Sequence, residues 1–147
     1  VGEHEIGSGV QARRLRNSAG PNVCVLAIGK MVGPAEQAAE ILASRGVEIT
    51  LWDVRCCVPA DETMIADAAR HCVVVTIEDG IRDGGIGMML ADLVTNAEGS
   101  VRPRVEVLGL PTKFTAQGKP AAILKQLGFD AESLAETFAD LATVKPK

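Results

Sequence analysis

Glu78-Asp79-Gly80-Ile81-Arg82-Asp83-Gly84-Gly85-Ile86-Gly87 packs three carboxylates, one guanidinium and four glycines into ten residues. The β-formers Cys72-Val73-Val74-Val75-Thr76-Ile77 precede it, and apolar residues at helical spacing follow. A glycine-rich turn from a strand into a helix can present backbone N–H groups to a phosphate. The residues here argue against that use. Gly85-x-Gly87 matches only part of a dinucleotide fingerprint, because Leu90 stands where the third glycine belongs. Glu78, Asp79 and Asp83 around a single Arg82 would repel a pyrophosphate. Glu78 has two readings: it accepts N–H groups of its own turn and helix, or it holds a ligand or a partner's cation. The first is the plainer.

Other chemical candidates fail on spacing. Gly29-Lys30 lacks the upstream glycine of a P-loop and has Met31 in place of its Ser or Thr. His71 and Cys72 are neighbours entering a strand, so they point to opposite faces. The other histidine, His4, lies far off in sequence. Four cysteines (Cys24, Cys56, Cys57, Cys72) and two histidines show no metal-ligand spacing. There is no Gly-x-Ser-x-Gly elbow. Arg13, Arg14 and Arg16, like Lys113, Lys119 and Lys125, read as solvated faces or contacts to acidic surface. No catalytic, cofactor-binding or metal-binding residue is assigned.

Alternating strands and helices must position these groups. Val23–Gly29 is an apolar run suited to a strand covered on both faces. Gly33-Pro34 opens a helix with Ala35, Ala38, Ala39 and Leu42 inward, and Gly46 ends it. Val47–Val54 is expected as a strand. Asp61 starts a helix that buries Met64, Ile65, Ala68 and Ala69. Cys72–Ile77 is the third strand of this series. The next helix presents Ile86, Met89, Leu90, Leu93, Val94 and Ala97, and Val105–Leu110 forms another strand. Two helices close the chain, one after Pro120 and one capped by Asp130. A weaker edge strand is expected over Ala12–Leu15. The pattern predicts an α/β fold: three layers, α/β/α, around a mainly parallel sheet of about five strands. Right-handed crossovers gather Lys30–Gly33, Arg55–Ala60, Glu78–Gly84 and Pro111–Lys119 at one sheet edge.

Composition narrows the function. With 147 residues the chain suits one domain. Aromatic residues make up 3%, which leaves few stacking platforms for nucleic acid, and the net charge of −4 gives no pull toward phosphates. No apolar run is long enough to span a bilayer. Val1-Gly2-Glu3-His4 lacks a signal-peptide pattern, and the cysteines read as small core hydrophobes of a reducing, cytoplasmic setting.

The landmarks in order carry a resemblance. They are Val25–Gly29, Ala35 to Gly46, and Asp53-Val54-Arg55 with Pro59, Asp61 and Glu62. Thr76–Gly80 with Gly84–Gly87, Gly109-Leu110-Pro111, Phe114, Gly118 and Leu127–Asp130 complete the set. From Asn22 to Leu141 this series resembles the C-terminal domain of transketolase-type, thiamine-diphosphate-dependent enzymes, nearest to the 1-deoxy-D-xylulose-5-phosphate synthase branch. One departure is Gln117, where the family often has His before the glycine. The resemblance implies a parent transferase that condenses pyruvate, with loss of carbon dioxide, onto glyceraldehyde 3-phosphate for isoprenoid precursor and thiamine synthesis. It implies thiamine diphosphate and Mg²⁺ in the parent, held by preceding domains, and none bound by this chain. Residues 1–21 would then be a linker from an upstream pyrimidine-binding domain and 22–147 the C-terminal-type domain. The expected partners are that upstream domain and a second copy in a homodimer, with no nucleic acid and no membrane. Glu78, Asp79, Gly80, Gly84, Gly85 and Gly87 form the candidate domain-packing loop. The same domain in a transketolase or a 2-oxo acid dehydrogenase β subunit, or a free-standing α/β interaction or regulatory module, stays open as an alternative.

Overall fold

The structure, a computed structural model, describes residues 11–20, 22–113 and 117–143. His4, Gly7, Gly9 and Phe114 lie outside the described residues. The elements run β1 (Arg13–Arg16), β2 (Val23–Ala27), α1 (Val32–Ser44), β3 (Thr50–Asp53), α2 (Glu62–Ala68), β4 (Val73–Ile81), α3 (Ile86–Asn96), β5 (Arg104–Leu110), α4 (Pro120–Gln126) and α5 (Ala131–Ala142). A short 3₁₀ turn at Gly29–Met31 leads into α1.

The five strands are ordered β1-β3-β2-β4-β5. β1 is antiparallel to β3, and the other neighbours are parallel. β2 is buried along its whole length because its alternate residues feed two cores. Val23, Val25 and Ala27 join Val73, Val75 and Ile77 under α1 and α5. Cys24 and Leu26 join Trp52 and Val74 under α2 and α3. This is the expected three-layer α/β/α sandwich.

Two boundaries differ from the sequence reading, each for a backbone reason. β3 begins at Thr50 rather than Val47, because the Val47 N–H closes α1 on Leu42 O (3.0 Å) around Gly46, whose φ is +76°. β4 runs on to Ile81, so Glu78, Asp79 and Gly80 lie on the strand rather than in a loop. The extension holds because Ile81 pairs with Leu110 after a register shift. The edge strand expected over Ala12–Leu15 is present one residue further on, at Arg13–Arg16, and the sheet takes in residues before Asn22. In α3 the expected buried stripe loses Leu93, which is exposed, while Gly87 joins Leu90 and Val94 inside.

The order β3-β2-β4 reverses winding direction between β2 and β4. Open α/β sheets hold ligands in the crevice beyond such a switch point. Here that crevice lies between the Gly29–Met31 turn and the end of β4, which carries Glu78 and Asp79.

Candidate functional site

Glu78 ends the buried part of β4 and is only 6% exposed. Its side chain turns under the start of α3, where Oε1 accepts the Gly87 N–H at 2.8 Å. The first N–H groups of a helix lack intrahelical partners and carry the positive end of its dipole. The chain's own carboxylate therefore takes the anion position of this helix.

The glycines are there to let that carboxylate in. A Cβ on Gly80 would lie 2.8 Å from Glu78 Oε2. One on Gly87 would lie 2.6 Å from Thr76 Oγ1 and 3.1 Å from Val107 Cγ1. One on Gly85 would collide with both the Ile81 carbonyl oxygen and Glu78 Oε1. Gly84 differs: it has open space around it but a φ of +80°, so it serves the turn itself. Thr76 Oγ1, beneath Gly87, is buried without a hydrogen-bond partner. The rest of the loop faces solvent. Asp79, Ile81, Arg82, Asp83 and Met88 are exposed. The Arg82 guanidinium pairs with Asp83 (2.9 Å) and donates to Val107 O (3.1 Å).

The six loop residues singled out from sequence thus cluster around one buried acid, apart from Asp79 and Gly84, which face outward. A diphosphate does not fit here, since the α3 N-terminus already holds a carboxylate and two more acids flank Arg82. Among the described residues no group of three or more His, Cys, Asp or Glu is arranged to hold a metal ion. No helix among them is long and apolar enough to cross a membrane.

A second buried polar cluster was not legible in the sequence. Asp67, on α2, is 8% exposed and accepts from Trp52 Nε1 (2.9 Å) and Arg70 (3.1 Å). Arg14 of β1 stands 3.8 Å from the same carboxylate and lies over the Trp52 ring at 5.5 Å. Burial pushes the Asp67 carboxyl up. Hydrogen bonds from Trp52 and Arg70, and the charges of His71 and Arg14, outweigh it and hold the acid below its ordinary value. His71 continues the cluster: Nδ1 faces Asp67 O (2.9 Å) and Nε2 faces Thr50 Oγ1 (3.1 Å). A carbonyl can only accept, so Nδ1 carries the hydrogen. Thr50 Oγ1 also accepts the Ser18 N–H at 3.2 Å. The one faint sequence signal was Asp67 and His71 four apart near a helix end. Two of the three arginines are thereby placed, with Arg16 paired to Glu40 at 3.3 Å.

Cys56 and Cys57 lie in the expected Arg55–Ala60 loop between β3 and α2, half-buried rather than inside the core. Cys24 is fully buried and Cys72 packs against the α1 and α5 core.

Comparison with known proteins aligns the whole arrangement. The family described as transketolase, C-terminal domain, matches residues 11–134. A 1-deoxy-D-xylulose-5-phosphate synthase of Thermomicrobium roseum is 42% identical over 126 residues, covering 84% of this chain and 20% of the relative. The same enzyme of an Anaeromyxobacter species is 41% identical over 135 residues, covering 88% and 20%. The chain spans about a fifth of the length of these relatives. Among solved structures, a split-gene transketolase in an inactive β4 tetramer superposes with a TM-score of 0.79 at 24% identity, over 95% of this chain and 44% of the other. A transketolase of Campylobacter jejuni gives 0.66 at 17%, over 91% and 19%. At these identities the structural likeness establishes the fold.

Proposed function

This chain belongs to the transketolase C-terminal domain family, and from that premise we propose that it is the non-catalytic assembly domain of a 1-deoxy-D-xylulose-5-phosphate synthase. The parent enzyme joins pyruvate to glyceraldehyde 3-phosphate with loss of carbon dioxide. Thiamine diphosphate with Mg²⁺ supplies the carbanion chemistry there, on domains that precede this one. The 42% identity to a named synthase favours this branch.

One observation carries the assembly role. The switch-point edge, where this class of sheet holds a ligand, is filled by Glu78 lodged against Gly80, Gly85 and Gly87. What it offers outward is apolar and charged surface: Ile81 is 53% exposed and Met88 45%, beside Asp79, Arg82 and Asp83. An exposed apolar pair with a polar rim suits packing against another protein surface. In this reading the Glu78–Gly87 loop docks on the upstream pyrimidine-binding domain and supports the homodimer.

The same domain in a transketolase is the second reading, resting on the family match. Assay of the parent with pyruvate and glyceraldehyde 3-phosphate, against a ketose-phosphate donor, separates the two. For the assembly role, Ile81→Asp with Met88→Asp in the full-length protein is expected to weaken dimerisation and turnover, while the melting temperature of the isolated chain holds. Unchanged sedimentation and turnover would overturn it. Calorimetric binding of thiamine diphosphate to the isolated chain would do the same.

A further inference from the structure

Cys56 and Cys57 occupy a bend whose two ends are fastened by hydrogen bonds. Val54 leaves β3 with its N–H on Ala27 O (3.0 Å). The chain then reverses in a three-residue turn, with Cys56 N–H donating to Val54 O at 2.6 Å. Arg55, at its centre, adopts a φ of +56°, a conformation a non-glycine side chain rarely accepts. The Arg55 N–H is held by Asp53 Oδ1 at 3.2 Å. On the far side, Asp61 fastens the loop by capping α2 through Met64 N–H (3.0 Å) and by accepting the Ala12 N–H (3.0 Å). Both thiols are free and half-buried. The Cys56 thiol donates to the Val58 carbonyl at 3.5 Å. Cys57 rests against the core beneath α2 and α3.

Adjacency decides what such a pair can do. Consecutive Cα atoms are about 3.8 Å apart. Ordinary disulfides span about 4.4–6.8 Å between Cα atoms. A bond between the two sulfurs would therefore close a cramped ring, and the pair is biased toward two free thiols. A bridging atom that takes both sulfurs enlarges the ring by one member and relieves that constraint. Because the segment lies outside any strand, no pleat drives the two side chains to opposite faces.

We propose that Cys56 and Cys57 form a chelating dithiol site for a thiophilic trivalent centre, of which an organoarsenical is the simplest. With an arsenous oxide R–As=O, two S–H bonds and the As=O bond break, two As–S bonds form, and both protons leave with the oxygen as water. Arsenic stays trivalent, so neither oxidant nor reductant is required. Burial pushes the Cys57 thiol up, and Cys56 and Glu78 add to the shift, so that thiol stays protonated until a soft centre displaces its hydrogen. Cys24, fully buried with its thiol pushed well up, stands apart from this chemistry.

Phenylarsine oxide added to the folded full chain tests the site, read by intact mass and by peptide mapping. One adduct per chain is expected, on the peptide holding both cysteines. It should survive excess mercaptoethanol and be released by 2,3-dimercaptopropanol. Cys56→Ser and Cys57→Ser should each leave an adduct that the monothiol strips, with the melting curve showing that each variant folds. An adduct stripped from the unmodified chain by mercaptoethanol, or one that persists in the double variant, would overturn the site.

Discussion

Two buried acids among the described residues, Glu78 and Asp67, are held in opposite ways. Glu78 is surrounded by backbone. It accepts the Gly87 N–H, and glycines make room for it. Asp67 is surrounded by side chains: the Trp52 indole, the Arg70 guanidinium, and Arg14 over the indole ring. A carboxylate held by backbone depends on the shape of the chain beside it. One held by side chains depends on which distant residues the fold brings in. The first site is intolerant of added atoms, the second of lost partners.

Substitutions can break that contrast. Gly85→Ala should have the largest effect, destabilising by about 3 kcal/mol, since the new Cβ meets backbone at Ile81 as well as Glu78. Chemical denaturation of the isolated chain measures it; a loss below about 1 kcal/mol would mean the loop yields and the cradle is not tight. Asp67→Ala should follow, at about 2 kcal/mol, because it leaves the buried indole N–H without an acceptor.

Asp67 also predicts a pH dependence. Its folded carboxyl titrates below the unfolded one, so the unfolded chain binds the proton more readily. The contribution is present above the unfolded aspartate value, near 4, and is lost as pH falls through the folded value. Melting temperatures recorded from pH 6 downward should fall less steeply in Asp67→Asn than in the parent. Parallel curves would remove the acid from the account.

Glu78→Gln is expected to cost less, about 1 kcal/mol or under, since the amide oxygen still accepts the Gly87 N–H and only the charge at the helix end is lost. Under the proposed assembly role, the full-length protein carrying this variant should keep its turnover; a large fall in kcat without loss of stability would give Glu78 a chemical role. Gly84→Ala sharpens the comparison from the other side. With open space around it and a positive φ, it should lose about 1 kcal/mol through backbone conformation alone, clearly less than Gly85→Ala.

These sites also differ in how far they could be read from the chain. Glu78 and its glycines fall within ten residues, and local chemistry was enough to reject a phosphate and to suggest that the acid serves its own helix. The Asp67 cluster draws on Arg14, Ser18, Thr50, Trp52, Arg70 and His71, from three strands' worth of separation, and no local spacing announces it. The sequence reading sets His71 and Cys72 aside as a catalytic pair, and the partners of His71 lie on β3 and within α2.

The sequence by itself determined the layer order, the parallel core strands and the caps at Asp61 and Asp130. Apolar periodicity, glycine stops and short polar caps are set within a few residues, so local physics suffices. Asp130 accepts the Ser133 N–H, and that bond holds its carboxyl below the ordinary value. Tertiary structure decided the rest. It drew β4 out to Ile81 and exposed Leu93. It also buried Asp67 beside Trp52. Each of these depends on which strand lies beside which, and hydrogen-bonding partners far apart in the chain are fixed only once the sheet has assembled.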